Sequence, residues 1–408
     1  MMQQWKPTFT LFINFKILKK IMRRVRSWNF RIYPTKKQEK HLQSYLYECK
    51  NLWNYLLNHA KEYYETTGHF PTRNKLYELT KNKSELFSQV AQNVAERIIR
   101  ALNAVISRKK RGIRAGFPRF KSIDRIKSFT YPQKGFSLEE KLMLSQIGEI
   151  QIKKHRTITE ELRTLTIKRM SSGKWFAIFT SQHTISSKSN KGKKVGIDLG
   201  IEHFAYLSDG ISIPNPRHII KAEEKLKKAH QKLSHKRKGS KNRKKARIRL
   251  SISHEKLANN RREFLHQVTR KLVNSYSLIA MEDLNTQGLA RGFLAKHVLD
   301  CGWAEFSKML HYKAEEAGCE VVLVNPAYTS QECSNCGLIQ KKKLAERAHK
   351  CSCGADMHRD LNAAINILKR ATSGTGGSNA SGATKFLASM KEEVHVLDMS
   401  SSRCQPYT

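Results

Sequence analysis

The chain has 408 residues, with 76 Lys plus Arg against 34 Asp plus Glu, a formal net charge of +42 at pH 7, and 39% hydrophobic residues. That length and apolar content can fill two or three cored domains, which excludes a disordered basic tail. So large a positive excess repels itself unless a polyanion neutralises it; composition therefore points to nucleic acid and leaves open both an enzyme and a plain binder of the ribosomal or chromatin kind.

Near the N-terminus, "FTLFINFKIL" is too short to span a bilayer, contains Lys16, and runs into "KKIMRRVRSW" without a small-residue cleavage site. It reads as neither signal nor anchor. Residues 1–22 read as an extension without a role, and Met22 offers an alternative start. "RSWNFRIY", Arg26 to Tyr33, alternates like a strand. A helix follows with Leu42, Leu46, Leu52, Tyr55 and Leu56 at helical spacing and a Gly stop. A second carries Val90, Val94, Ile98, Leu102 and Val105 on one face. Short alternating segments broken by Gly, Pro and Ser then resume, the pattern of a small barrel into which the helices are inserted. Phe117, Phe120, Phe129, Tyr131 and Trp175 lie among Arg119, Lys121, Arg125, Lys127 and Lys134. Aromatics interleaved with cations can stack bases and hold phosphates, and barrel cores use aromatics too; the first reading is preferred, with Arg119 and Lys121 as contacts.

"SSKSNKGKK", residues 186–194, reads as a linker, and a new domain starts at "VGIDLG". Its expected order is three strands, a long helical stretch, the strand "SLIAMEDL", a helix, the strand "CEVVLVNP", a cysteine cluster and the helix "RDLNAAINILKR". Between Lys225 and Arg262 stand 16 Lys or Arg and one acid, Glu255, while Leu226, Ala229, Leu233, Ala246, Leu250 and Leu257 still mark apolar faces. This reads as a helical hairpin with a cationic outer face for phosphates, carried by Lys236, Arg237, Lys241, Arg243, Lys244 and Lys245; a solvated charge run or a localisation signal are the blander readings. After Arg370, "ATSGTGGSNASGATK" reads as a disordered tail. It fails as a phosphate loop, because Ala383 stands where the Lys belongs.

Three acids stand out in this basic chain. Asp198 sits in the first strand of the second domain, Glu282 closes "SLIAME", and Asp360 opens the last helix, where its charge suits the positive helix end. Acids placed so match an RNase H-like sheet, with the first strand beside the fourth and the last helix crossing over them. In-line phosphodiester hydrolysis uses two hard divalent ions, Mg²⁺ or Mn²⁺, held by carboxylates, and that is the role expected of Asp198, Glu282 and Asp360. "GIDLG" also opens actin-like ATPases, but there hydroxyl residues follow, and here Ile201 and Glu202 do.

Of eight cysteines, Cys333, Cys336, Cys351 and Cys353 crowd into 21 residues, and Cys49, Cys301, Cys319 and Cys404 are scattered. That pattern favours a reducing compartment, hence the cytoplasm, and a structural Zn²⁺ on the four clustered thiolates. Gly follows Cys336 and Cys353. The second knuckle, Cys-x-Cys, is one residue shorter than the commoner spacing. His349 and His358 read as solvent-facing or DNA-facing side chains, not ligands.

The ordered set "YPTKKQEKHL", "GFPRFK", "SFTYP", "GIDLGIEHFAYLSDG", "REFLHQVTRKLV", "MEDLN", "TSQECSNCG" and "HRDLNAAINIL" resembles the TnpB proteins of bacterial and archaeal insertion sequences, relatives of compact type V CRISPR effectors. The resemblance covers roughly residues 23–385. It implies an RNA-guided DNA endonuclease, working with a guide RNA and double-stranded target DNA next to a short adjacent motif. A nucleoid-associated location is expected with it; the oligomeric state is left open, with a monomer favoured. In domains, it implies a wedge-like β-barrel (23–35 and 112–185) with a helical recognition insert (36–111). An RNase H-like (RuvC) nuclease domain (195–328 and 357–370) follows, carrying a basic hairpin (217–272) and a zinc ribbon (329–356), before a tail (371–408). The fold class expected is thus α/β and β multidomain. The family's catalytic acids lie in the motifs matching Asp198, Glu282 and Asp360; where the family often has Asp-Arg-Asp, this chain has His358, Arg359, Asp360. The alternative is a transposase, resolvase or DNA-binding regulator acting without guide RNA.

Overall fold

A computed structural model describes residues 22–185, 190–292, 294–342 and 346–373. The expectations for the first 21 residues, for 186–189 and for the tail beyond 373 lie outside the described residues. The chain divides into two compact units, one made of the chain up to Ser186 with Leu226–Glu255, the other of Ser187–Lys225 with Lys256 onward.

In the first unit, β1 (Met22–Tyr33) leads into α1 (Lys36–Thr67), α2 (Arg73–Glu78) and α3 (Ser88–Lys110), and then β2 (Ser128–Tyr131), β3 (Phe136–Leu138), β4 (Leu142–Leu144), β5 (Gly148–Lys153), β6 (Leu162–Arg169) and β7 (Trp175–Ile185). The strand order is β2-β6-β7-β1-β5-β4-β3. All pairings are antiparallel, and the edge strands β2 and β3 are consecutive in sequence, so the sheet curls into a near-closed barrel. A capping box starts α1: the Thr35 hydroxyl accepts from the Gln38 N–H at 3.3 Å and Gln38 Oε1 from the Thr35 N–H at 2.9 Å. Gly68, at φ +70°, stops it as expected. The expected faces of both long helices are buried except at Tyr55, which is exposed. The barrel aromatics correct the stacking reading. Phe129, Tyr131 and Trp175 are core residues, Phe117 packs against Phe70 and Tyr64, and of the five Phe120 alone is exposed. In a strand, alternate side chains must point inward, and the inward positions here are the aromatic ones.

The second unit contains β8 (Lys193–Leu199), β9 (His203–Leu207), β10 (Ser212–Pro214), α4 (His218–Ser234), α5 (Lys241–Ser275), β11 (Tyr276–Glu282), α6 (Thr286–Leu289), α7 (Ala295–Cys301), α8 (Trp303–Ala317), β12 (Glu320–Val324), β13 (Ala348–Lys350), β14 (Asp356–His358) and α9 (Arg359–Thr372), except that the hairpin residues Leu226–Glu255 of α4 and α5 belong to the first. The sheet order is β10-β9-β8-β11-β12, with β8 antiparallel to β9 and parallel to β11. This is the RNase H-like order expected. The linker is shorter than expected, since β8 already begins at Lys193 and Asn190 Nδ2 donates to the carbonyls of Val273 and Tyr276.

The distal part of the hairpin, Leu226–Glu255, groups with the barrel unit; there Glu255 pairs with Lys174 Nζ at 2.7 Å and Arg247 reaches Asp124 at 3.7 Å. Burial raises the Glu255 carboxyl, but the Lys174 hydrogen bond and charge outweigh it and hold it below its ordinary value.

α9 lies directly on β8 at Gly196. A Cβ there would stand 2.1 Å from the Ala364 carbonyl oxygen and 2.7 Å from the Leu368 nitrogen, both backbone. Gly196 is therefore required by close approach, not by its dihedral angles. Gly196→Ala should lift α9, lowering stability by roughly 1–3 kcal/mol, the range of over-packed cores. A melting curve unchanged by this substitution would contradict the contact.

Candidate active site and metal centre

The alternation of β8 turns Val195, Ile197 and Leu199 into the core and leaves Gly196 and Asp198 on the other face, under α9. Two strand residues advance about 6.6 Å and four helix residues about 6 Å, so as Gly196 meets Ala364, Asp198 comes under the first turn of α9, which carries Asp360. On the other side, β11 pairs in parallel with β8 through Met281 and Ile197, and the next residues along are Glu282 and Asp198. Three segments far apart in sequence thus bring their acids to one edge of the sheet.

The electrostatics follow from that convergence. Burial first, then the charges of Glu282 and Asp360, push the Asp198 carboxyl well above the ordinary carboxylate range, and Arg359 offsets part of this. Burial also raises Glu282, against a hydrogen bond from Thr329 and the charge of Arg370. The Thr329 hydroxyl donates to Glu282 Oε1 at 2.5 Å. Asp360 is buried beside cations: Arg359 Nε lies 3.4 Å and an Arg347 nitrogen 3.9 Å from its oxygens, and Arg347 also pairs with Glu202 at 3.0 Å. His358 caps α9, its Nδ1 accepting the Asp360 N–H at 3.3 Å, and its ring stacks on Tyr206 at 4.7 Å. Tyr206 is the β9 partner of Asp198.

The four clustered cysteines form the second centre. Among the described residues they are the one group of metal-ready side chains whose ligand atoms come together, all within 4.8 Å of one another. The carboxylates do not form such a set. Cys333 and Cys353 sulfurs are 3.7 Å apart and Cys336 and Cys351 sulfurs 3.6 Å, close to the edge of about 3.8 Å for a tetrahedron with 2.3 Å metal–sulfur bonds. Both knuckle glycines have left-handed φ, Gly337 at +79° and Gly354 at +89°, which turn the chain back after each cysteine pair. The Ala355 N–H and the Asn335 side chain push the Cys353 thiol down to about 6, and the Cys353 N–H lowers Cys351, so two ligands favour the thiolate a metal needs. Cys336 is pushed up to about 12: the Leu338 N–H lowers it, but hydrogen bonds shared with Cys351 and Cys353 outweigh that. These residues fit a tetrahedral ion. His349 corrects its solvent-facing reading, because it is fully buried in β13 against Lys342, and His358 is half-buried on Tyr206.

The expected nucleic-acid residues divide. Lys236, Arg237, Lys241, Lys244, Lys245 and Arg119 are exposed. Arg243 instead donates to the carbonyls of Leu233 and Lys236, at 2.9 and 2.8 Å, and fastens the hairpin turn. Lys121 sits on the Trp53 ring with Nζ 3.3 Å from its centre, its backbone locked to the Asn54 side chain. Sequence reasoning missed Thr329, Arg347, Tyr206, Asn362 and Asn366. Only the two asparagines left a readable signal: polar residues four apart on the apolar face of a helix that is buried there.

An RNase H-like sheet with three acids at one edge and a four-cysteine centre before the last helix defines the class. Comparison narrows it. Residues 177–292 match the OrfB_IS605 family, described as a probable transposase; residues 303–367 match the Cas12f1-like TNB domain; residues 22–69 match a helix-turn-helix domain of OrfB_IS605, here a strand and one helix. The chain is 35% identical over 263 residues to a Streptomyces pristinaespiralis protein named "Putative RNA-guided DNA endonuclease", covering 62% of this chain and 65% of that one. It is 29% identical over 378 residues to InsQ of Escherichia coli (strain K12), which bears the same description, covering 85% of this chain and 92% of InsQ. A chain in the cryo-EM structure of a Cas12f1-sgRNA-target DNA complex superposes with a TM-score of 0.56 at 14% identity, covering 85% of this chain and 98% of that one, which is a likeness of fold. By these matches the chain is similar to the OrfB_IS605 proteins and to proteins named as RNA-guided DNA endonucleases. No helix among the described residues is long and apolar enough to cross a membrane.

Purified protein should carry about one tightly held metal ion per chain on the cysteines. Cys351→Ser should lose it and loosen residues 329–360 in hydrogen exchange, since such ions supply much of the folding free energy of short ribbons. Metal-free wild type with the same exchange pattern would overturn the assignment.

Proposed function

We propose that the chain is an RNA-guided DNA endonuclease of a transposable element, cutting double-stranded DNA beside a short adjacent motif. The observation that carries this is the convergence of Asp198, Glu282 and Asp360 at one edge of an RNase H-like sheet. Within a chain of charge +42, an acid such as Asp198, whose carboxyl burial and the charges of Glu282 and Asp360 push up, is costly unless it serves a cation. The names of the relatives support the same reading, and the chain of similar fold is one seen in a complex with sgRNA and target DNA.

In this reading the sheet unit is a RuvC nuclease domain, the barrel a wedge-like domain, the α1–α3 insert a recognition module and the cysteine centre a Zn²⁺ ribbon. Asp198, Glu282 and Asp360 would hold Mg²⁺ or Mn²⁺, which would supply an activated water and stabilise the leaving oxygen. The chain's own residues do the rest. Asp198 and Glu282, on adjacent parallel strands, give a rigid base, and Asp360 closes it from the helix above. Arg347 and Arg359 limit repulsion between these acids and the phosphate backbone. The exposed lysines of the hairpin and the barrel hold nucleic-acid backbone, while guide pairing supplies sequence recognition. A monomer in the cytoplasm, at the nucleoid, fits this role.

Asp198→Ala, Glu282→Ala and Asp360→Ala should each abolish Mg²⁺-dependent cleavage and leave RNA binding near wild type. Asp198→Asn should do the same and raise the melting temperature of metal-free protein at neutral pH. The sign follows from the raised carboxyl: the ionised form is the one the fold disfavours, so stability is lost as pH rises above the ordinary carboxylate range, and Asn avoids that loss. Robust cutting by Asp198→Ala, or cutting by protein stripped of RNA, would sink the proposal; the second outcome would favour a transposase acting alone.

Replacing Lys236, Arg237, Lys241, Lys244 and Lys245 by Gln, with Arg243 kept to preserve the turn, should flatten the salt dependence of nucleic-acid binding. Each lost phosphate contact removes about 0.7 to 0.9 from the slope. An unaltered slope would make the run an ordinary solvated face.

A further inference from the structure

We infer that Thr329 is the positioning residue for Glu282, and that the strap 325–334, gripped by α9, ties that acid to the cysteine centre. The inference rests on the reading of Glu282 as a ligand of the catalytic metal.

Thr329 is 4% exposed and its hydroxyl lies 2.5 Å from Glu282 Oε1 and 3.1 Å from the Pro326 carbonyl. A hydroxyl has one hydrogen, and the shorter contact, to the charged acceptor, takes it. The hydrogen bond occupies one carboxylate oxygen and leaves the other for a cation. As a β-branched residue, Thr329 has little χ1 freedom with which to follow a moving carboxylate. Its backbone is held as firmly. Asn366 Nδ2 donates to the Thr329 carbonyl at 3.0 Å and to the Glu332 carbonyl at 2.7 Å; Asn362 Nδ2 donates to Glu332 O at 2.7 Å while its Oδ1 accepts the Ser334 N–H at 2.8 Å. Lys369 donates to Ser334 O, and Arg370 to the carbonyls of Asn325 and Ala327 and to the Glu332 carboxylate. One face of α9 therefore reads out the strap from Asn325 to Ser334, and Cys333 lies within it.

A second, independent observation marks the same spot. Tyr328 has φ +62°, a left-handed conformation costly for an aromatic residue, and it is 59% exposed, so packing does not impose it. What imposes it is the turn it opens: the Tyr328 carbonyl accepts from Gln331 N–H at 3.0 Å and Glu332 N–H at 2.9 Å. That turn delivers the Thr329 hydroxyl to Glu282 and Cys333 to its centre within five residues.

The test uses full-length protein, with Mn²⁺ binding counted by electron spin resonance without nucleic acid, and cleavage measured separately with the co-purified RNA. Thr329→Val should weaken Mn²⁺ binding about 10- to 100-fold, the effect of losing a residue that orients a metal ligand, and Thr329→Ser should restore it. The cysteine-bound metal and RNA retention should be those of wild type in both variants. Thr329→Val binding Mn²⁺ like wild type would overturn the inference and leave the nuclease reading standing. So would Thr329→Ser failing as Thr329→Val does while the cysteine metal is retained, since a merely structural threonine is not rescued through its hydroxyl. Wild-type protein that neither binds Mn²⁺ nor cuts would instead remove the reading of Glu282 on which the inference rests.

Discussion

The backbone contact between α9 and Gly196 is the constraint on which the site depends. A helix can approach a strand this closely only over a residue without Cβ, and the approach fixes where Asp360 stands relative to Asp198. Once that distance is set, the remaining pieces have little latitude. β11 must enter in parallel beside β8 to bring Glu282 to the same edge, and the strap before the cysteines must run along the opposite flank of α9 to meet Asn362 and Asn366. Small side chains continue the close fit, with Ala363 and Ala364 fully buried.

Charge is partitioned with equal economy. The acids that matter lie in apolar strands or in the first turn of a helix, where burial keeps them from the cations that dominate the surface. The few cations admitted near them, Arg347, Arg359 and Arg370, come from the elements that flank the last helix or belong to it. Glu255 is the parallel case in the hairpin: the one acid between Lys225 and Arg262, it is taken up by Lys174.

Much of this was legible in the sequence. Asp198 and Glu282 stood out because an acid within or at the end of an apolar strand has few structural explanations, whereas Asp360 also suits the positive end of its helix and stood out by its company. The four cysteines stood out by spacing, and α1 and α3 by period and caps. What was not legible depends on contacts between residues far apart. Alternation shows that Phe129 and Tyr131 share a face but not which side that face meets, and they turned out to be core. Arg243 counts as a surface cation in any composition window, yet two carbonyls across the hairpin turn claim it. Thr329 is an unremarkable letter until Glu282, 47 positions earlier, comes within reach of its hydroxyl.

His358 carries a wider consequence. At the start of the last helix this chain places an imidazole whose nitrogen accepts the Asp360 N–H. The helix start therefore asks for an acceptor, and an acid is only one way to supply it. An imidazole here leaves three carboxylates at this edge where an acid would make four. The ring also does what a carboxylate cannot, lying flat on Tyr206 and so extending the helix start onto β9. A substitution at such a position is a trade between repulsion and adhesion, and it can proceed without touching the three acids themselves.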